Sequence, residues 1–148
     1  MSNFTSQIKA FNEMYKLPAP TYPCVPRAEF PTPMDLIDRL AKFKLILLEE
    51  LDEVHELQVS INRGASDVEI LTELADWLGD LQVYCASEMT KFGLDNEIVL
   101  GIIMESNMSK LGEDGKPIYD GRGKVMKGPG YWKPEPIIQK FIERSRTS

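Results

Sequence analysis

The chain has 148 residues, 43% of them hydrophobic and 27% charged, which is an ordinary balance for one globular domain with a single core. Its net charge of −6 argues against nonspecific binding to nucleic-acid polymers, because such binding needs a basic face. The sequence has no apolar run long enough to span a bilayer and no start that resembles a signal peptide. We therefore expect a cytoplasmic protein with no membrane partner.

The first third of the chain predicts two helices joined by a connector. Residues 3–16 have amphipathic spacing, and residues 17–33 hold six of the ten prolines, which predicts an extended connector. A long helix then begins at Thr32-Pro33, where a capping residue precedes a proline at the first helical position. Its apolar residues recur at helical spacing up to Asn62-Arg63-Gly64, so one uninterrupted helix is expected.

The rest of the chain predicts three more helices and a hairpin. Helices are expected from Ser66-Asp67 to Gly93, from Asp95-Asn96 to about Leu111-Gly112, and over about residues 134–145. Turn signals between residues 112 and 133 flank two short extended segments, which predicts a small hairpin or an irregular loop there. The predicted fold class is an all-α antiparallel helical bundle.

We interpret residues 1–148 as a single domain. Residues 1–33 form its N-terminal helix and proline-rich connector, residues 34–111 its bundle core, and residues 112–148 its loop and C-terminal helix. The two cysteines do not form a disulfide framework. Cys85 falls in an apolar helical run and is expected to be a reduced core residue.

Two acidic clusters lie on neighbouring predicted helices. The first comprises Glu49, Glu50 and Glu53, and the second comprises Glu73, Asp76 and Asp80. Helical residues advance by about 100° each, so the members of each cluster reach one side of their helix. A short turn makes the two helices antiparallel neighbours, and their acidic faces can meet across a groove.

Carboxylates brought together in an apolar setting repel one another unless a cation compensates them. Hard oxygen ligands without a histidine or cysteine cluster suit Mg²⁺, or alternatively Mn²⁺, rather than zinc. Because Mg²⁺ shares its shell with water and substrate phosphates, the clusters favour phosphoanhydride chemistry. The alternative interpretation is a solvated acidic face on a structural helical protein.

Other residues give a weaker indication of a nucleotide. Residues 110–133 contain six basic and three acidic side chains, so this stretch, which includes Lys127, is either a phosphate-facing loop or a solvated one. Tyr84 either stacks on a base or belongs to the core.

The spacing Glu49-Glu50-x-x-Glu53 followed by Glu73-x-x-Asp76 resembles the EExxE…ExxD signature of all-α nucleotide pyrophosphohydrolases. This group includes MazG-like enzymes, dimeric dUTPases and phosphoribosyl-ATP pyrophosphohydrolases. The resemblance covers residues 34 to about 111. It is strengthened by three further segments: Asp80-Leu-Gln-Val-Tyr84, Lys91-Phe-Gly-Leu94 and Asn107-Met-Ser-Lys110.

The resemblance implies a Mg²⁺-dependent enzyme, a homodimer or homotetramer, that cleaves a nucleoside triphosphate to the monophosphate and pyrophosphate in a house-cleaning role. It implies that Glu50 and Glu53 are metal ligands and that Glu49 is the general base or a ligand of a further metal. It also implies that Asn107 and Lys110 contact phosphate or sugar. The alternatives are a phosphoribosyl-ATP pyrophosphohydrolase-like enzyme and a non-catalytic nucleotide-binding helical module.

The second helix departs from the family pattern. The literal match is Glu73-x-x-Asp76, but the spacing to Gly93 and Asn107 aligns the family's aspartate with Asp80. The family's glutamate then falls on Trp77, which cannot bind a metal. We take Asp76 and Asp80 as the predicted ligand pair and Glu73 as a reserve ligand.

Overall fold

The computed structural model describes residues 3–147, and residues 1, 2 and 148 at the ends of the predicted domain lie outside this range. The described chain consists of helices and one two-stranded antiparallel hairpin, so the predicted all-α bundle with a small hairpin is confirmed. The helices are α1 (Phe4–Met14), α2 (Pro33–Asp52), α3 (Val54–Asn62), α4 (Asp67–Lys91), α5 (Asn96–Met108) and α6 (Pro134–Thr147), and the strands are β1 (Ile118–Tyr119) and β2 (Val125–Met126).

These elements belong to two compact units. The first unit comprises Met1–Pro20 and Val25–Phe92 and contains α1 to α4. The second comprises Thr21–Cys24 and Gly93–Ser148 and contains α5, the hairpin and α6. The interpretation of residues 1–148 as one functional domain stays a prediction.

Three helices begin where the sequence predicts, because a polar side chain caps each of them. Thr32 accepts a hydrogen bond from the Asp35 amide while Asp35 accepts one from the Thr32 amide, which is a capping box. Ser66 caps α4 by accepting from the amide of Glu69, and Asp95 caps α5 by accepting from the amide of Ile98.

The single long helix predicted from Pro33 to Asn62 is wrong, since α2 ends at Asp52 and α3 begins at Val54. At the interruption the amide of Glu53 donates to the carbonyl of Glu50, three residues back rather than four. The indole nitrogen of Trp77 donates to the same carbonyl oxygen at 2.7 Å. A side chain that enters the hydrogen-bond ladder of a helix is a recognised cause of such breaks.

Two polar links hold the first unit together. The amide of Asn12 on α1 is fully buried, donating to the carbonyl oxygens of Pro18 and Ser87 and accepting from the Ser87 hydroxyl at 2.7 Å. On the other side, Arg39 of α2 forms a two-point ion pair with Glu88 of α4, which is only 7% exposed. These links fix α1 and α2 on the C-terminal half of α4.

In the second unit, α5 ends at Met108 and not near Leu111-Gly112 as predicted. After α5 the carbonyl oxygen of Lys110 accepts a hydrogen bond from the amide of Gly128 at 2.8 Å. This oxygen is therefore not paired with an amide four residues on, as it would be if the helix continued. A Cβ at position 128 would collide with the carbonyl oxygen of Leu111, so glycine is required for this approach. The loop between residues 110 and 128 is thereby closed at its base.

The expectation that Cys85 is a core residue is wrong, because the residue is exposed, although its thiol is free as expected. It shares one stripe of α4 with five other exposed residues spaced alternately three and four apart: Val68, Leu71, Ala75, Leu78 and Gln82. The apolar content of α4 is spread around the helix, so sequence periodicity did not identify which side is buried. Helix α2 is similar in that none of its twenty residues, all within the described range, is buried.

None of the helices described over residues 3–147 combines the length and the apolar character needed to cross a bilayer.

Candidate metal and nucleotide site

Four side chains of the first unit meet where the interruption after α2 faces α4. Glu50 lies on α2, and Glu53 lies at the interruption between α2 and α3. Asp80 and Tyr84 lie one turn apart on α4. The negative charge of Glu50 is the main influence that raises the pKa of Glu53, and Asp80 adds to it. The predicted acidic faces of the two helices are therefore within electrostatic reach of each other.

Glu50 is the most constrained carboxylate of this cluster. One of its oxygens, Oε2, is buried and has no hydrogen-bond partner within the described part of the chain. The neighbouring Glu50 carboxylate is the main cause of the raised pKa of Tyr84. A buried carboxylate oxygen without a donor is costly, which is the condition that a cation would relieve.

A cavity of about 360 Å³ adjoins the cluster within the first unit, and Asp80 and Tyr84 form part of its wall. Its remaining walls combine apolar side chains with the ion pair of Arg39 and Glu88: Phe11, Leu17, Phe43, Ile46, Val83, Ser87 and Lys91 complete the lining. An apolar cavity with a few polar groups at its edge has the composition of small-molecule sites in proteins.

The other two predicted metal ligands on α4, Glu73 and Asp76, lie on a different side of Glu53. Glu73 and Asp76 line a second cavity of about 270 Å³ together with Glu53 and Glu56. Glu73 accepts a hydrogen bond from the Ser60 hydroxyl at 3.2 Å. Glu53 thus lies within electrostatic reach of Asp80 and also borders the second cavity, which Asp76 lines.

Glu49 is not brought into this arrangement. Its side chain is exposed on α2, and within the described residues it borders neither of these two cavities. Its assignment as a general base stays a prediction.

The remaining predicted substrate contacts belong to the second unit. Asn107 is exposed in the last turn of α5, and Lys110 is half-buried just after that helix. The Lys127 ammonium lies over the Tyr131 ring, 4.9 Å from its centre, which keeps the charge beside an aromatic face at the closed base of the loop. The roles of these residues as substrate contacts stay predictions.

The donor set fits a hard cation in its chemistry, since all the candidate ligands are carboxylates and Glu50 carries a buried oxygen without a donor. In the described range no three Asp, Glu, His or Cys side chains are already arranged around one point in ligand geometry. Glu53 and Asp80 are both exposed, so their side chains have room to rotate toward a cation.

Sequence reasoning missed two structural partners of the site. Trp77 was identified as a residue unable to bind metal, and its indole is hydrogen-bonded to the backbone of Glu50. Arg39 was not singled out, and only the buried Glu88, forty-nine residues away, explains its place at the cavity wall. Helical periodicity gives no signal for either contact, because each joins two helices.

A solved structure from Exiguobacterium sp. 255-15, named a "putative NTP pyrophosphohydrolase", is similar to this chain over 99% of this chain and 98% of its own length. The TM-score is 0.54 and the sequence identity is 23%. No protein-family model matches the sequence, and no curated protein matches it. The likeness to the solved structure establishes a shared fold.

Proposed function

We propose that the protein is a Mg²⁺-dependent nucleoside triphosphate pyrophosphohydrolase that releases the nucleoside monophosphate and pyrophosphate. The observation that carries the proposal is the buried Glu50 carboxylate oxygen that lacks a donor, on a residue whose charge acts on Glu53 together with that of Asp80. The fold shared with a protein named as an NTP pyrophosphohydrolase supports the same reaction.

In this proposal the metal is held by Glu50, Glu53 and Asp80, with Asp76 and Glu73 as further candidates on the other side of Glu53. Bound Mg²⁺ would neutralise phosphate charge and lower the pKa of a coordinated water; Mn²⁺ can replace it. We favour Asp80 over Asp76 as the α4 ligand because Asp80, unlike Asp76, is among the charges that raise the pKa of Glu53.

Tyr84 and four residues outside the cluster have supporting roles in the proposal. The Tyr84 hydroxyl is proposed to donate to Glu50 and so to direct its free oxygen. Glu49 lies in the last turn of α2, outside the cluster, and is proposed as the general base that takes a proton from water. Asn107, Lys110 and Lys127 are proposed to contact the phosphates or the sugar.

The nucleoside is proposed to enter the cavity that Asp80 and Tyr84 border. A volume of about 360 Å³ lies within the range of small-molecule sites, and its apolar walls suit a planar base. A position there would place the phosphates beside the acidic cluster. The substrates we propose are noncanonical or excess nucleoside triphosphates, as expected of a house-cleaning enzyme.

We also propose that two or more copies of the chain assemble. The exposed stripe of α4 that contains Val68, Leu71 and Leu78 has the alternating three- and four-residue spacing of a helix–helix seam. Leu71 is 62% exposed and Val68 is 73% exposed, and α2 has no buried residue among its twenty. A second copy offers the same apolar stripe, and a self-complementary contact of this kind is typical of two-fold dimers.

The activity is tested by incubating the purified protein with a panel of canonical and noncanonical nucleoside triphosphates and Mg²⁺, and measuring pyrophosphate. Glu50→Gln and Asp80→Asn should abolish release because each removes a metal ligand. Glu49→Gln should lower the rate roughly 100-fold or more but leave metal binding intact. Asp52→Asn is the matched control, an exposed acid at the end of the same helix that should keep full activity. Pyrophosphate release that survives Glu50→Gln would refute the proposed site.

A second candidate function is nucleotide binding without turnover. It is favoured by the absence, among the described residues, of three carboxylates already in ligand geometry, and by the tryptophan between Asp76 and Asp80. Calorimetry that finds tight nucleotide binding with no product formed would support this function instead.

A further inference from the structure

Trp77 on α4 makes a hydrogen bond to the backbone of α2. Its ring is half-buried on α4, and its indole nitrogen donates to the main-chain carbonyl oxygen of Glu50 at 2.7 Å. The two residues are twenty-seven positions apart in the chain. The hydrogen bond is short and joins α4 to α2 at Glu50.

That carbonyl lies where the helix is interrupted. In a continuous α-helix the oxygen of Glu50 accepts only the amide of residue 54, four positions on. Here it accepts both the Trp77 indole and the amide of Glu53, which is three positions on. Glu53 itself keeps right-handed helical dihedral angles (φ −61°, ψ −15°), and the amide of Glu56 bonds to the Glu53 carbonyl in the same tighter pattern.

The interruption determines where the carboxylates of the cluster point. Glu53 is the residue in the turn itself, between the last residue of α2 and the first of α3. From there its carboxyl group borders the cavity shared with Asp76, within electrostatic reach of Glu50 and Asp80. A continuous helix would rotate Glu53 and everything after it relative to Glu50.

We infer that Trp77 is a positioning residue for the metal site, since its indole hydrogen bond to the Glu50 carbonyl keeps the helix interrupted at Glu53 and so directs Glu50 and Glu53 toward one cation. The inference rests on the proposed function, because it concerns how that metal site is built. Trp77 touches neither metal nor substrate in this account and acts through the backbone of Glu50.

The test compares Trp77→Phe with Trp132→Phe, the matched variant at the other of the two tryptophans in the chain. Mn²⁺ binding is measured by electron paramagnetic resonance and Mg²⁺ binding by calorimetry, without nucleotide. Removing a group that orients a ligand typically weakens metal affinity by about 10- to 100-fold, and we expect a loss in that range for Trp77→Phe. Trp132→Phe should bind both ions as the wild type does.

Hydrogen exchange of the amides of residues 53–56 gives a readout that does not depend on metal. With the indole removed, the Glu50 carbonyl is left to the amide of Val54, and slower exchange is expected there as the helix closes across Glu53. Benzothienylalanine at position 77 keeps the ring shape and lacks the N–H donor, so it serves as the second variant if Trp77→Phe folds poorly.

Weaker metal binding together with altered exchange at residues 53–56 would support the inference. Wild-type affinity in Trp77→Phe or in the benzothienylalanine protein would overturn it and leave the metal site standing. Weaker binding with unchanged exchange would overturn it too, because the effect would not pass through the interruption. A wild-type protein that binds neither ion would refute the proposed metal site itself, and this inference with it.

Discussion

Glu50 and Glu53 lie three residues apart across the end of α2, where the charge of Glu50 acts on the Glu53 carboxyl group. A like charge nearby makes a carboxyl group harder to ionise. The charge of Glu50 is accordingly the largest of the influences that raise the pKa of Glu53. Without a cation, Glu53 therefore resists ionisation.

This pair predicts a pH dependence of the metal-free protein. Because folding raises the pKa of Glu53, the folded state binds a proton more tightly than the unfolded state does. The contribution to stability is present in full below an ordinary glutamate pKa of about 4.3 and is lost as pH rises through the raised value. The contribution of Glu53 to the melting temperature, measured with a chelator present, should therefore fall as the pH rises through this range.

Glu53→Gln should remove that component, and the variant should melt higher than the wild type at neutral pH when no metal is present. Added Mg²⁺ should raise the melting temperature of the wild type and leave that of Glu53→Gln nearly unchanged, because binding to the folded state stabilises it by mass action. A wild-type melting temperature that ignores Mg²⁺ at millimolar concentration would contradict the cluster's role as a metal site.

The buried ion pair predicts the opposite dependence. Burial is the largest single influence on Glu88 and opposes its ionisation, but hydrogen bonds from Arg39 and Lys91 together outweigh it and lower its pKa. The stability that Glu88 contributes is therefore present above about pH 4.3 and lost as pH falls through the lowered value.

Glu88→Gln leaves Arg39 without a charged partner at the cavity wall, and we expect a loss of about 3 kcal/mol in the free energy of unfolding at neutral pH. For a chain of this size that corresponds to a fall of roughly 10 °C in melting temperature. Glu105→Gln, at an exposed glutamate of α5, should change stability by less than about 0.5 kcal/mol. In acid, the free energy of unfolding of Glu88→Gln should approach that of the wild type, because Glu88 is then protonated. A difference in stability that persists in acid would argue against the ion pair as its source.

Gly128 predicts a loop-specific defect. Gly128→Ala forces a Cβ against the Leu111 carbonyl, which should open the base of the loop and cost roughly 1–3 kcal/mol. If Lys110 and Lys127 face phosphates, kcat/KM for nucleotides should fall as well. Gly121→Ala is the matched control, because a Cβ there meets no atom within 4 Å. Equal kcat/KM values for Gly128→Ala and Gly121→Ala would show that the loop does not contact the substrate.

The exposed stripe of α4 predicts the assembly state. Sedimentation of the wild type should give the mass of a dimer or larger, and Leu71→Lys combined with Leu78→Lys should shift it toward the monomer while helical circular dichroism is kept. Thr72→Lys adds a charge at an exposed position beside the stripe and should leave the mass unchanged. A wild-type monomer at high micromolar concentration would refute this proposal.

The sequence carries enough local information to predict most helix ends in this protein. Thr32, Ser66 and Asp95 cap their helices through hydrogen bonds to residues three positions away, and such signals are local. The break at Glu53 was missed because its cause, the Trp77 indole, lies on another helix. Cys85 was misassigned because an apolar helix does not reveal which of its sides the rest of the chain covers.

The candidate site follows the same division. Spacing along the two helices predicted that Glu50, Glu53 and an α4 carboxylate would face one another, and the structure brings Glu53 within electrostatic reach of Asp80. Spacing could not decide between Asp76 and Asp80, because residues one turn apart share a face. Only the tertiary packing separates them, with Asp76 on one side of Glu53 and Asp80 beside Tyr84.

Phosphorus NMR of a nucleoside triphosphate incubated with the protein and Mg²⁺ identifies which phosphoanhydride bond is cleaved, and so distinguishes a pyrophosphohydrolase from other nucleotide hydrolases. We expect equal amounts of monophosphate and pyrophosphate, no reaction in a chelator, and no reaction with Glu50→Gln. Formation of diphosphate and orthophosphate, or the same products from Glu50→Gln as from the wild type, would contradict the proposed function.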